Sequence, residues 1–201
     1  MILDHLAVAG TTIEEASALI EAALGVALQP GGKHDHFGTH NQLLGLADGL
    51  YLEAIAIDPQ ASKPTYARWF DLDAFSGTAH LSNWICRVDD LDLTLSNRPD
   101  THGTPVDLSR GDLRWRMAVP QSGRLPYDNM HPGLIQWQGP YHPAEKLLQS
   151  KCTLRRLVVA HPLATMLQDE LAIVDARVVF EPGSPALMAE FDTPHGQRVL
   201  Q

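Results

Sequence analysis

The sequence predicts an α+β fold: paired βαβββ modules forming a curved, cup-like mixed sheet, with a third partial module at the C-terminus. Three observations predict it. The order strand, helix, strand, strand, strand occurs twice along the chain, and a repeat of this kind decides the fold before any single motif does. Apolar residues alternate with period two in the strands and follow i, i+3, i+4 spacing in the helices. Gly, Pro, Asp and Asn fall at the joints between these segments. A chain of 201 residues suits one domain, or two small ones sharing a core.

Residues 2–9 alternate as a strand does. Gly10-Thr11-Thr12 then turns, and either threonine can cap a helix whose first turn carries Glu14 and Glu15. Ile13, Ala16, Leu19, Ile20, Ala23 and Leu24 have helical spacing, and Gly25 ends the helix. A short strand is expected over 26–29, followed by a loop rich in Gly and His from Pro30 to Gly38. Residues 39–46 and 50–57 read as strands about an Asp48-Gly49 hairpin turn, completing a first module over 1–60.

Residues 59–78 form a polar and aromatic connector, with one helical turn expected at 66–70. The order then begins again over 79–146. A strand is expected at 80–88, and a short helix over 91–97, capped by Asp89 or Asp90 and ended by Arg98-Pro99-Asp100. Three further strands are expected at 106–108, 113–119 and 133–138. The third, partial unit over 152–201 reads as βαββ packed on the same core, with a strand at 153–160, a helix at 163–171 and strands at 176–180 and 186–191.

Composition narrows the function classes. Apolar residues make up 44% and charged residues 19%, which places the chain among globular proteins. A net charge of -9 with no basic stripe argues against nucleic acid and anionic membrane as partners. No apolar stretch approaches the ~18–20 residues needed to span a bilayer, and the acidic, His-bearing start is unlike a signal peptide. Cys86 and Cys152 stand apart without CxxC spacing, so a thiolate zinc site is not expected and a reduced cytoplasmic chain is. No nucleophile elbow, phosphate-cradling loop or dinucleotide fingerprint occurs.

Strand alternation assigns faces. Leu3, His5 and Ala7 are expected on one face of the first strand, and Tyr51, Glu53 and Ile55 on one face of the fourth, lining the concave side. Asn83 and Gln136 are the expected second-module counterparts of His5 and Glu53. An imidazole and a carboxylate on neighbouring strands suit a divalent ion such as zinc, iron, manganese or nickel, with His5, Glu53 and Gln136 as ligands. The alternative is a hydrogen-bonded or charged His5–Glu53 pair within the cup.

The stretches Leu3-Asp4-His5, Gly38-Thr39-His40-Asn41 and Tyr51-Leu52-Glu53 resemble the glyoxalase-like domain branch of the vicinal oxygen chelate superfamily. The resemblance implies paired βαβββ modules around a cup, with metal ligands on the first and fourth strands of each module. Those positions carry His5, Glu53, Asn83 and Gln136 here, and Asn83 and Gln136 depart from the stronger ligands usual in that branch.

Other candidates are His36 and Asn41, expected to face the pocket, and Arg114 and Arg116, which would face the cup and bind a carboxylate if Trp115 faced the helices. Their alternatives are a Gly-fixed turn and an exposed strand edge. Trp137 reads as core on the back face, and Tyr127, Asp128, Asn129 and His131 as a loop overhanging the cup. The expected function is that of a metal-dependent lyase, isomerase or dioxygenase acting on a small oxygenated substrate, with Glu53 or a rim histidine moving a proton. The alternatives are a metal-free small-molecule binding or resistance protein, and a scaffold with an occluded cup. A homodimer is a reasonable assembly.

Overall fold

A computed structural model describes residues 1–96 and 98–201. Strand β1 (Ile2–Ala9) leads to helix α1 (Ile13–Leu24). Thr12 caps the helix by accepting from the Glu15 N–H, and Gly25, at φ 72°, ends it in the left-handed region that glycine tolerates. Strands β2 (Gln29–His34), β3 (Thr39–Gly45) and β4 (Tyr51–Ile57) complete the first module. The second module contains β5 (His80–Arg87), α2 (Leu91–Leu95), β6 (Thr104–Arg110), β7 (Leu113–Val119) and β8 (Gly133–Gln138). Asp90 caps α2 through the Leu93 N–H. The expected end of this helix at Asn97 lies outside the described residues.

These eight strands form one sheet in the order β2-β3-β4-β1-β5-β8-β7-β6. In each module the first strand pairs in parallel with the fourth, and the two first strands pair antiparallel at the centre. That arrangement gives the sheet an approximate two-fold relation between its halves, as the repeat predicts.

The expected loop at 30–38 is largely a strand. Gly31 and Gly32 sit in β2, where the Asn41 side chain and Arg110 Cδ occupy the space of their missing Cβ atoms. Glycine here admits neighbouring groups rather than flexibility. The turn in the connector falls at Trp69–Asp71, and β6 is longer than the three residues expected.

The C-terminal unit contains β9 (Thr153–Ala160), α4 (Ala164–Leu171), β10 (Val178–Glu181), β11 (Ala186–Thr193) and β12 (Gly196–Leu200), with α3 (Pro143–Lys146) preceding it. Its sheet order is β10-β9-β11-β12. Here the first strand pairs in parallel with the second, through α4, and not with the fourth. The unit therefore has one more strand than expected and a different order from the two modules, as a direct βαβ crossover produces.

The back of the large sheet is apolar. Leu6, Val8, Leu52, Ala54, Trp84 and Cys86 pack with Ile13, Ala16, Ile20 and Leu24 of α1 and with Leu157, Val159, Leu187 and Phe191 of the C-terminal sheet. Helix α2 has five residues, too few to cover its half. The C-terminal sheet takes that place: the Trp84 ring lies 6.1 Å from Phe180, and its Nε1–H donates to the Met130 carbonyl at 2.8 Å.

Candidate functional site

Two β-bulges set the site. Where β1 meets β5, the register passes over Asp4 between Leu3 and His5, and over Ser82 between Leu81 and Asn83. The Asp4 bulge corrects the expected face of Leu3, which joins Leu6 and Val8 in the back core, while His5 and Ala7 face the cup. The bulges stand at matching places, so His5 and Asn83 are structural counterparts. Ala7 pairs with Glu53 and Ile85 with Gly133. The counterpart of Glu53 is therefore Gly133, and Gln136 corresponds to Ala56 on the opposite face.

In the first module, His5 Nε2 lies 3.7 Å from Glu53 Oε2. The His5 ring stacks on Tyr51 with centroids 4.3 Å apart. Nδ1 of His5 lies 2.7 Å from Asp4 Oδ1, so it donates to a carboxylate and leaves Nε2 for the cup. Asp4 is fully buried and also receives Trp137 Nε1–H at 3.1 Å and His142 Nε2 at 3.0 Å. Burial opposes its charge, but the hydrogen bonds of His142 and His5 outweigh burial and hold the carboxyl well below the usual carboxylate range.

Glu53 is equally fixed. Asn41 Nδ2 donates to its Oε1 at 2.5 Å. The Asn41 Oδ1 accepts from the Gly32 N–H at 2.8 Å and from Arg110 at 2.9 Å. Arg110 also donates to His34 Nε2 at 3.1 Å, and His34 Nδ1 lies 3.0 Å from the Thr39 hydroxyl. Burial, and then the Arg110 charge, lower the His34 pKa to about 3, so its imidazole is neutral at ordinary pH.

The cavity before these groups holds about 30 Å³, room for about one small group. Trp69, Phe70, Trp115, Met117 and Trp137 wall it. Phe70 has φ 59°, unusual for a bulky residue, and its carbonyl accepts from Asn129 at 3.3 Å.

Several expected placements are corrected. Arg114 donates to the Gly111 and Leu113 carbonyls, and Arg116 pairs with Asp92 and Asp107, so both face away from the cup. The reason is that Trp115 turns inward, inverting the alternation of β7. His36 is exposed and stacks on Tyr66, whereas His34 lines the cavity. Gln136 holds the Asp89 carbonyl and the Leu91 N–H at the start of α2, on the other side of the sheet. Asn83 is fully buried, its amide atoms have no partner, and it does not line the cavity. Trp137 lines the cavity instead of the back core. His131 lies with His102 and Glu170, away from the cup. Asn41 and the pair His5–Glu53 come together as expected.

Sequence reasoning missed Asp4, His34 and Arg110. Arg110 shares strand parity with Leu108 and Val106, which pack toward the cup, so alternation along β6 carried its signal. The bulge at Asp4 leaves no such mark.

The donor set does not fit the paired-module metal that the resemblance implies. The first module supplies one imidazole and one carboxylate. The second supplies a buried amide and a glycine, and a Cβ at Gly133 would stand 2.8 Å from Met117 Cε and 3.2 Å from Phe70 Cε1. Among the described residues, His102, His131 and Glu170 are close enough together to ligate an ion. Arg98 already serves as their cation, 2.6 Å from Glu170 Oε1 and 3.4 Å from His131 Nε2.

Comparison with known proteins agrees with this architecture. The model of a family described as a glyoxalase-like domain matches residues 3–174. A hypothetical protein from Staphylococcus aureus aligns with TM-score 0.57 and 13% identity, over 92% of this chain and 87% of its own. Methylmalonyl-CoA epimerase from Mycobacterium tuberculosis aligns with TM-score 0.44 and 18% identity, over 69% of this chain and 88% of its own. A Streptomyces coelicolor methylmalonyl-CoA epimerase aligns with TM-score 0.43 and 14% identity, over 70% and 99%. Identities this low speak to fold alone, and the two epimerases are too distant to carry an argument about chemistry. No curated protein matches the sequence significantly. No described helix is long and apolar enough to cross a membrane. With a match spanning most of the chain and two βαβββ modules joined through their first strands, the chain belongs to the glyoxalase-like domain family.

Proposed function

We propose that the first-module cup binds a small oxygenated ligand and that His5 and Glu53 move a proton on it without a divalent metal. One observation carries this reading. The outer atoms of both residues are tied down, His5 Nδ1 by Asp4 and Glu53 Oε1 by Asn41, while Nε2 and Oε2 face each other across 3.7 Å. That separation exceeds a direct hydrogen bond and suits a ligand atom whose proton is taken by one of two acceptors, the His5 Nε2 lone pair or Glu53 Oε2. The reaction class is isomerisation or elimination by proton transfer. Dioxygenase chemistry is disfavoured, because it needs an open redox-metal site with more ligands than the two offered here.

Glu53→Gln should cut turnover at least 100-fold, in the range typical for loss of a general base, while ligand binding persists. Metal content and turnover of purified wild type and of the His5→Ala variant provide the test. Stoichiometric metal in the wild type that disappears with His5, or full turnover in Glu53→Gln, would overturn the proposal. A second reading, a scaffold with a closed cup, is favoured by the 30 Å³ cavity and by the side chains crowding Gly133. It is distinguished by thermal shift, because a scaffold gains no stability from any small ligand.

A further inference from the structure

We infer that the ligand of this cup carries a carboxylate and that Arg110 binds it. The inference rests on the His5–Glu53 reading and adds the substrate class.

Arg110 is half-buried at the end of β6 and lines the cavity. Its hydrogen bonds go to neutral acceptors, Asn41 Oδ1 and His34 Nε2. The low His34 pKa keeps that ring from competing as a second cation. Arg68, Arg98, Arg116 and Arg177 each lie within 4.0 Å of a carboxylate, whereas Arg110 has no such partner among the described residues. An uncompensated guanidinium at an apolar pocket wall is costly unless an anion joins it, and its planar fork fits a carboxylate.

Asn41 then links the two ends of the pocket. Its carbonyl receives Arg110 and its amide N–H binds Glu53, so a single carboxamide separates the pocket's cation from its base. It also keeps the two groups out of direct contact. A ligand that places its carboxylate on Arg110 presents the rest of its chain toward Glu53 Oε2 and His5 Nε2, which line the same cavity. Gly32 leaves the space that the Arg110 stem crosses.

The test uses pyruvate, lactate and glycolate, each against its uncharged methyl ester, with binding read by calorimetry. Wild type should bind at least one acid ten-fold or more tighter than its ester. Arg110→Gln should lose that preference, and Arg110→Lys should retain part of it, with unchanged circular dichroism showing that both fold. Glu53→Gln should bind the acid as well as wild type or better. No acid binding below 10 mM, on the order of the weakest specific binding worth assigning, or an acid preference that survives in Arg110→Gln, would overturn the inference. Proton transfer is read separately, as Glu53-dependent exchange of the pyruvate methyl protons for solvent deuterium. Binding without exchange would sink the proton-transfer reading and leave the anion site standing.

Discussion

His34 shows how much a single buried residue decides here. It sits among Trp69, Trp115 and Arg110, where burial and a neighbouring positive charge both exclude a second proton. Its pKa is about 3 in the folded chain against about 6.5 when unfolded. Between those values the unfolded state binds more protons, so stability falls as pH falls. The expected slope from this residue is up to about 1.4 kcal/mol per pH unit. Urea midpoints measured from pH 7 to 4 should fall more steeply in wild type than in His34→Gln; parallel profiles would refute the assignment. Asp4 adds to the same trend at lower pH, because its depressed folded pKa gives stability that is present above about pH 4 and lost below it.

At the scale of elements, β2 and β6 are edge strands whose side chains meet across the mouth of the cup. Gly32→Ala tests that meeting. Its Cβ would stand 2.7 Å from Arg110 Cδ, so the arginine must shift and release His34 and Asn41. A loss of about 1–2 kcal/mol in a denaturant titration is expected, together with weaker carboxylate binding. Unchanged binding would show that Arg110 has no role at the mouth. The same strands show what was legible in the sequence. Period-two alternation and turn residues located β1, β4, β5, β7 and β8 closely, and the caps Thr12 and Asp90 were readable from their positions. The Gly-rich β2 was not, because glycine signals a loop while serving here to admit Asn41 and Arg110. Strand parity gave Glu53 correctly. It failed at Leu3, where a bulge inserts a residue, and at Trp115, where the larger side chain claims the interior and sends Arg114 and Arg116 outside.

At the scale of the whole molecule, Glu170 of α4 ties the C-terminal unit to the second module. It receives Arg98, His102 and the Tyr127 hydroxyl at 2.6–2.7 Å. The hydrogen bond with His131, and after it those with Tyr127 and His102, hold its carboxyl below the usual range against partial burial. Glu170→Gln should therefore cost about 1–3 kcal/mol near neutral pH, with the difference shrinking as pH falls below about 4. Limited proteolysis should cut the variant's C-terminal unit sooner. Equal protease resistance would mean that the apolar core alone holds the units together.

The glycine at 133 has a consequence for how the two halves can change over time. The first half places His5 beside Glu53. In the second, the matching space has been taken by Met117, Phe70 and Ile85, whose atoms stand 2.8–3.4 Å from where a Cβ would be. Placing an acid there by one substitution would collide with packed neighbours, and trimming those neighbours first would open a void with nothing to fill it. Each single step loses stability. The inequality between the halves is thus locked in by packing: position 133 accepts a side chain only if at least two neighbours change with it.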